Sequence, residues 1–184
     1  MLAGARMGDL KLVWVDLEMT GLDPETCVIL EVGVIVTGDD LAPIDEMERV
    51  IWQPEEVLAR MEPFVRQMHT DNGLLERVRA GATTVRDVER EVQQMLAKHC
   101  APQKGVLAGS SIHTDRTFLA KHMPLVERFL HYRQVDVSSL KTLVQAWYPQ
   151  VPAFEKPSAN HTALADIRES IRELAHYRDR FFAH

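Results

Sequence analysis

Apolar and polar positions follow two rhythms along this chain, and the change comes near Pro54. Before it, short apolar runs rich in β-branched residues predict strands at 11–18 (KLVWVDLE), 28–37 (VILEVGVIVT) and 48–53 (ERVIWQ). The second run is almost continuously apolar, the pattern of a strand covered on both faces. A turn, TGLDPET, separates the first two, punctuated by Gly21 and Pro24. This order predicts a three-stranded antiparallel meander. After Pro54 the spacing becomes helical. EEVLARM at 55–61 predicts a short helix, and at 84–98 Val85, Val88, Val92, Met95 and Leu96 share one face. VLAG at 106–109 reads as a short buried strand, 112–123 as a helix, Tyr132 to Val137 as a further strand and 139–147 as a helix. The last helix is expected from about Thr162 to Phe182. The sum is an α/β fold, a mixed sheet flanked by helices, in a single domain with its core at about 11–182.

Composition narrows the classes. A chain of 184 residues buries enough surface to fold without staples. Two cysteines, Cys27 and Cys100, make no disulfide framework and no C-x-x-C pair, which suggests a reducing compartment while leaving one bridge between them open. No run approaches the ~20 apolar residues of a membrane span. The opening MLAGARMGDLK lacks a secretory apolar run, so the expected location is cytoplasmic, or an organelle such as the mitochondrion if a targeting peptide is missing. The net charge is −6, from 21 basic and 27 acidic residues. A long nucleic-acid track needs many cations against phosphates, so such a track is not expected here.

Asp16 and Glu18 lie two apart on an otherwise apolar strand and so share a face. They are either a hydrated strand end or a pair held for a divalent cation, since like charges so placed disfavour joint ionisation. Oxygen donors suit Mg²⁺ or Mn²⁺, and a two-cation site needs a third and fourth carboxylate. Asp115 follows a buried strand near a helix start, where the local reading favours a cap. His161 and Asp166 bracket a loop-to-helix junction. Five residues span about 140° of a helix, so His161 is better placed in the loop or first turn as a general base and Asp166 on a rigid turn facing the site as a ligand. The bland alternative is a surface histidine and a surface acid. His113, His122, His131 and His176 read as surface or packing residues.

Four segments in order, DLEMTG at 16–21, S-I-x-x-D-R-x-F-L at 111–119, H-Y-R-x-x-D-V-S at 131–138 and H-x-A-L-x-D-I-R-E-S at 161–170, resemble the oligoribonucleases of the DEDDh exonuclease class. The resemblance runs from about Leu12 to Phe182. It implies a ribonuclease H-like fold and 3′→5′ exonuclease action on short RNA, two-residue RNAs above all, releasing 5′-mononucleotides. It implies two divalent cations, Mg²⁺ or Mn²⁺, on Asp16, Glu18, Asp115 and Asp166, with His161 as base. It further implies Leu22 as a wedge between bases, His69 as a cap over the 5′ phosphate, and Ser111, Arg133, Ser138 and Lys141 as polar partners of that phosphate. Tyr132 resembles a residue entering the neighbouring site of a homodimer. Three positions depart from the family pattern: Ser110 stands for Asn, Ala165 for the first of two Asp, and Phe64 for a stacking Trp. The competing readings are a DNA-trimming exonuclease with the same acids, a small-RNA-binding dimer and a metal-dependent phosphatase.

Overall fold

The computed structural model describes residues 10–155 and 162–182. Among these residues, five strands form one sheet in the order β3-β2-β1-β4-β5. β1 (Leu12–Met19), β2 (Ile29–Thr37) and β3 (Pro43–Val50) make the expected antiparallel meander. β4 (Val106–Gly109) and β5 (Gln134–Asp136) extend it in parallel on the other side of β1.

The period-two rule sorts β1 between two cores. Val13, Val15 and Leu17 face a core shared with Val88, Val92 and Leu96 of α4 (Val85–His99) and with α5 (His113–His122) and α6 (Pro124–Phe129). Leu12 and Trp14 face the opposite core, built from Ile167, Ile171 and Leu174 of α8 (Ala163–Tyr177) and from α7 (Val137–Trp147). Asp16 and Glu18 continue that second face towards the start of α8. Every residue of β2 is buried, as its unbroken apolar run requires.

The third strand lies earlier than expected, at 43–50 instead of 48–53. It is the edge strand and is mostly exposed or half-buried, so an acidic sequence, PIDEMERV, serves where an apolar run was sought. Ile51 and Trp52 leave the strand, although their amides still bond the carbonyls of Leu30 and Thr83. The expected helix at 55–61 shortens to α1 (Glu55–Leu58). Three helices were not anticipated: α2 (Pro63–Asp71), α3 (Leu74–Ala80) and α6. Each is too short to display much periodicity, but α2 and α6 carry proline in their first turn, a helix-start signal. α1 and α3 close a small satellite core around Leu30. The final helix ends at Tyr177 and passes into a π-helical turn, Arg178–Phe182. Among the described residues no helix is long and apolar enough to cross a membrane.

Candidate active site

Asp16 and Glu18 end β1 on the face that α8 covers, and Asp166 stands in the first turn of α8. One carboxylate oxygen from each of the three lies within 4.8 Å of the others. Asp115 joins them from α5. It does not cap its helix: its Oδ1 accepts the Leu17 amide at 3.0 Å, fastening α5 to the end of β1 between the two strand acids. The local cap reading is therefore corrected, because the Asp115 carboxylate is engaged by the Leu17 amide of the sheet.

Crowding and burial decide the electrostatics. Desolvation, then the charges of Asp115, Glu18 and Asp166, raise the Asp16 pKa well above the usual carboxylate range. Glu18 is pushed up to about 7, by burial first and then by Asp166, Glu31 and Asp115. Burial also lifts Asp115 to about 7 against the lowering effect of the Leu17 amide. A site of this kind holds protons or a divalent cation, and hard oxygen donors suit the cation.

The start of α8 is held by acceptors from the sheet. The first amides of any helix lack intrahelical partners. Here Ala163 donates to Glu31 of β2, Leu164 to Glu48 of β3 and Ala165 to the Thr162 hydroxyl, each at 3.4 Å. Arg168 then pairs with Glu46 at 2.8 Å. Gly33, the cross-strand partner of Asp16, gives the helix room to approach. Sequence reasoning missed Glu31, although an acid within an almost wholly apolar strand was a visible signal.

The other expected residues fall into distinct groups. Leu22 and Phe64 are exposed, and the Leu22 loop is braced by His122 on the Pro24 carbonyl and by the Lys121–Glu25 pair. His122 also stacks on Phe118, the packing role expected of it. Ser111 adopts a left-handed conformation, φ 54°, and its amide donates to Asp136 and to the Ser138 hydroxyl, both at 3.0 Å. Ser111 and Ser138 are thus brought together, their hydroxyls 3.2 Å apart. Tyr132 is exposed, stacked on His131, with the Arg133 guanidinium over its ring. Lys141 lies 3.5 Å from the buried Glu173 carboxylate, which also accepts from Tyr177. His69 is fully buried. Its Nε2 lies 2.9 Å from the Met19 carbonyl, so Nε2 carries the hydrogen and Nδ1 presents a lone pair, 3.9 Å from Glu18. Burial lowers its pKa, so the contact with Glu18 is that of a neutral ring rather than an ion pair.

His161 lies outside the described residues. Of the departures, Ser110 bonds the Ser170 hydroxyl of α8 at 2.9 Å, tying the loop after β4 to that helix. Ala165 donates its backbone amide to the Thr162 hydroxyl and has no carboxylate to add. Cys27 and Cys100 are free thiols. A concavity of about 590 Å³ is lined by Lys104, Arg116, Arg128, His131 and Tyr132 and is separate from the carboxylates. Chemistry, not cavity size, picks out the site.

Comparison with known proteins agrees with this geometry. The RNase_T family, described as exonuclease, matches residues 13–174. The chain is 48% identical over 178 residues to an oligoribonuclease of Corynebacterium glutamicum, covering 95% of this chain and 81% of that one. It is 45% identical over 171 residues to an oligoribonuclease of Paracidovorax citrulli, covering 92% and 89%. Among solved structures, exonuclease I from Methylocaldum szegediense superposes with a TM-score of 0.71 at 19% identity, over 94% of this chain and 41% of that one. Exonuclease I of E. coli, in complex with a DNA oligonucleotide, gives 0.69 at 15% identity, again over 94% and 41%. These two show the shared fold, of which this chain spans about two fifths of their length. The chain belongs to the exonuclease family and, within it, to the oligoribonucleases, 3′→5′ exoribonucleases of ribonuclease H-like fold.

Proposed function

We propose that this enzyme acts on very short RNAs, dinucleotides foremost, releasing 5′-mononucleotides at a site for two divalent cations, Mg²⁺ or Mn²⁺. The observation that carries the reading is the convergence of Asp16, Glu18 and Asp166 within 4.8 Å, with Asp115 fastened alongside. Buried like charges are costly unless a cation compensates them, so the donor set fits the metal. Bound there, the cations would supply Lewis-acid activation of water and neutralise charge developing at the scissile phosphate.

The chain's own groups do the rest. His161 serves as general base, five residues ahead of Asp166. Leu22 and Phe64, both exposed, offer apolar surface to the two bases. Ser111, Ser138, Arg133 and Lys141 are the donors assigned to a terminal 5′ phosphate, with charge-assisted bonds from the last two. His69 is assigned as the cap over that phosphate, held in place by its Nε2 on the Met19 carbonyl. A pocket that grips both ends of the substrate measures its length. That suits a protein of net charge −6, which does not need a long cationic track. The exposed Tyr132 favours a homodimer in which it completes the neighbouring site. The same reading takes residues 1–184 as one domain. It places the enzyme in the cytoplasm, consistent with two free thiols.

Asp115→Ala tests the site assignment. Cleavage should disappear while the fold persists by circular dichroism, and full residual activity would sink the four-carboxylate reading.

A further inference from the structure

Glu31 is a buried acid that the ligand set does not use. It sits in the middle of the sheet with no exposed surface, directly across from Glu18. A carboxylate so placed persists only if it is paired and hydrogen-bonded. Its Oε1 accepts from Arg77 Nη1 at 2.6 Å, and its Oε2 from the Ala163 amide at 3.4 Å. One carboxylate therefore links α3, β2 and the first residue of α8. Asp166 follows Ala163 by three residues, so the seating of that first turn sets where the Asp166 carboxylate points. Arg77 is partly exposed and reaches in from α3, packed beside the satellite core.

We propose that Glu31 is a positioning residue that seats the first turn of α8, and with it Asp166, at the metal site, and that Arg77 holds the Glu31 carboxylate in that task. This rests on the reading of Asp16, Glu18 and Asp166 as metal ligands. Residues that orient ligands from behind carry a large share of metal affinity although they never touch the ion.

Two explanations besides positioning are separable. Glu31 adds negative charge near the site, which by itself attracts a cation. Arg77 adds positive charge, which by itself repels one. Removing Arg77 should therefore tighten cation binding if charge alone matters, and weaken it if Arg77 positions Glu31. A packing role alone would lower the melting temperature and leave cation binding unchanged.

The experiment measures Mn²⁺ binding by electron paramagnetic resonance, without RNA, for the wild type, Glu31→Ala, Glu31→Gln and Arg77→Met. The Mn²⁺ half-saturation of dinucleotide cleavage is followed alongside. Weakening by about ten- to a hundredfold is expected for Glu31→Ala, with turnover recovered at high Mn²⁺ and KM for RNA unmoved. Glu31→Gln keeps an acceptor for Ala163 and should lose less. Arg77→Met should weaken binding in the same direction. Folded Glu31→Ala and Arg77→Met proteins with wild-type or tighter Mn²⁺ affinity would overturn the proposal. Should Glu31→Ala fail to fold, Arg77→Met decides by the sign of its effect. A wild type that binds no Mn²⁺ would instead overturn the ligand reading, and this inference with it.

Discussion

Gly33 lies across the sheet from Asp16, and a methyl group at Gly33 would sit 2.8 Å from the Ala163 Cβ and 3.0 Å from its carbonyl carbon. Real Cβ atoms essentially never approach another atom as closely as 2.8 Å, so the missing side chain is what lets α8 press onto the sheet beside the strand acids. Gly33→Ala should cost about 1–3 kcal/mol by overpacking. It should also displace Asp166 and weaken the Mn²⁺ dependence of cleavage. Urea denaturation and a Mn²⁺ titration read the two effects separately.

The acid cluster makes the metal-free protein sensitive to pH. Asp16, Glu18 and Asp115 all have raised pKa values, the last two to about 7. A carboxyl that binds its proton more tightly when folded lends stability below its ordinary pKa, near ~4, and loses it as pH rises through the folded value. In chelator, the melting temperature should therefore fall from about pH 4 to about pH 7. Saturating Mg²⁺ should flatten the fall, because the cation binds the deprotonated form. A thermal scan across pH, with and without Mg²⁺, checks both parts.

Asp16→Asn separates stability from chemistry. It removes a repelling charge from a desolvated site, so the protein in chelator at pH 8 should melt higher than the wild type. Cleavage should fall by more than about a hundredfold, the upper end for residues that merely support a ligand. Residues tuned for function at the expense of stability behave in this way.

Lys141 pairs with a buried acid, Glu173, at 3.5 Å and is also assigned to a terminal phosphate in the proposed pocket. Lys141→Met should destabilise by roughly 1–3 kcal/mol, between the values for exposed and buried pairs. If the phosphate role holds, KM should rise for a 5′-phosphorylated dinucleotide and stay unchanged for one ending in a hydroxyl. An equal rise for both would confine Lys141 to its pairing with Glu173.

Asp136 offers a further check on the proposed phosphate contacts of Ser111 and Ser138. Its carboxylate accepts the amides of Ser111 and Ser138, at 3.0 and 2.9 Å, and so maintains a left-handed residue that is not glycine. Asp136→Ala should relax Ser111 and reduce discrimination between 5′-phosphorylated and unphosphorylated dinucleotides, while slower cleavage persists. Kinetics on the two substrates reads this directly.

The sequence made some of this legible for clear reasons. The apolar run of β2 announced a strand buried on both faces, and the pairing of Asp16 with Glu18 on one strand face follows from a two-residue period that needs no tertiary context. The edge strand was misplaced because an exposed strand carries little apolar signal. The helices α2, α3 and α6 were missed because a helix of six to nine residues shows too few turns to betray its period. Asp115 could be read locally only as a cap, since its true partner, the Leu17 amide, lies 98 positions away in the chain. Glu31 was passed over for a related reason. Its meaning depends on Arg77 and Ala163, which only the folded chain brings to it.

Cleavage of 5′-labelled RNAs from two to about ten nucleotides, beside matching DNA, in Mn²⁺ and in chelator, tests the central claim most directly. The account predicts rapid Mn²⁺-dependent loss of the RNA dinucleotide, much slower cleavage of longer RNA, and none in chelator. Equal rates at every length would contradict the claim that this site measures a substrate of two nucleotides.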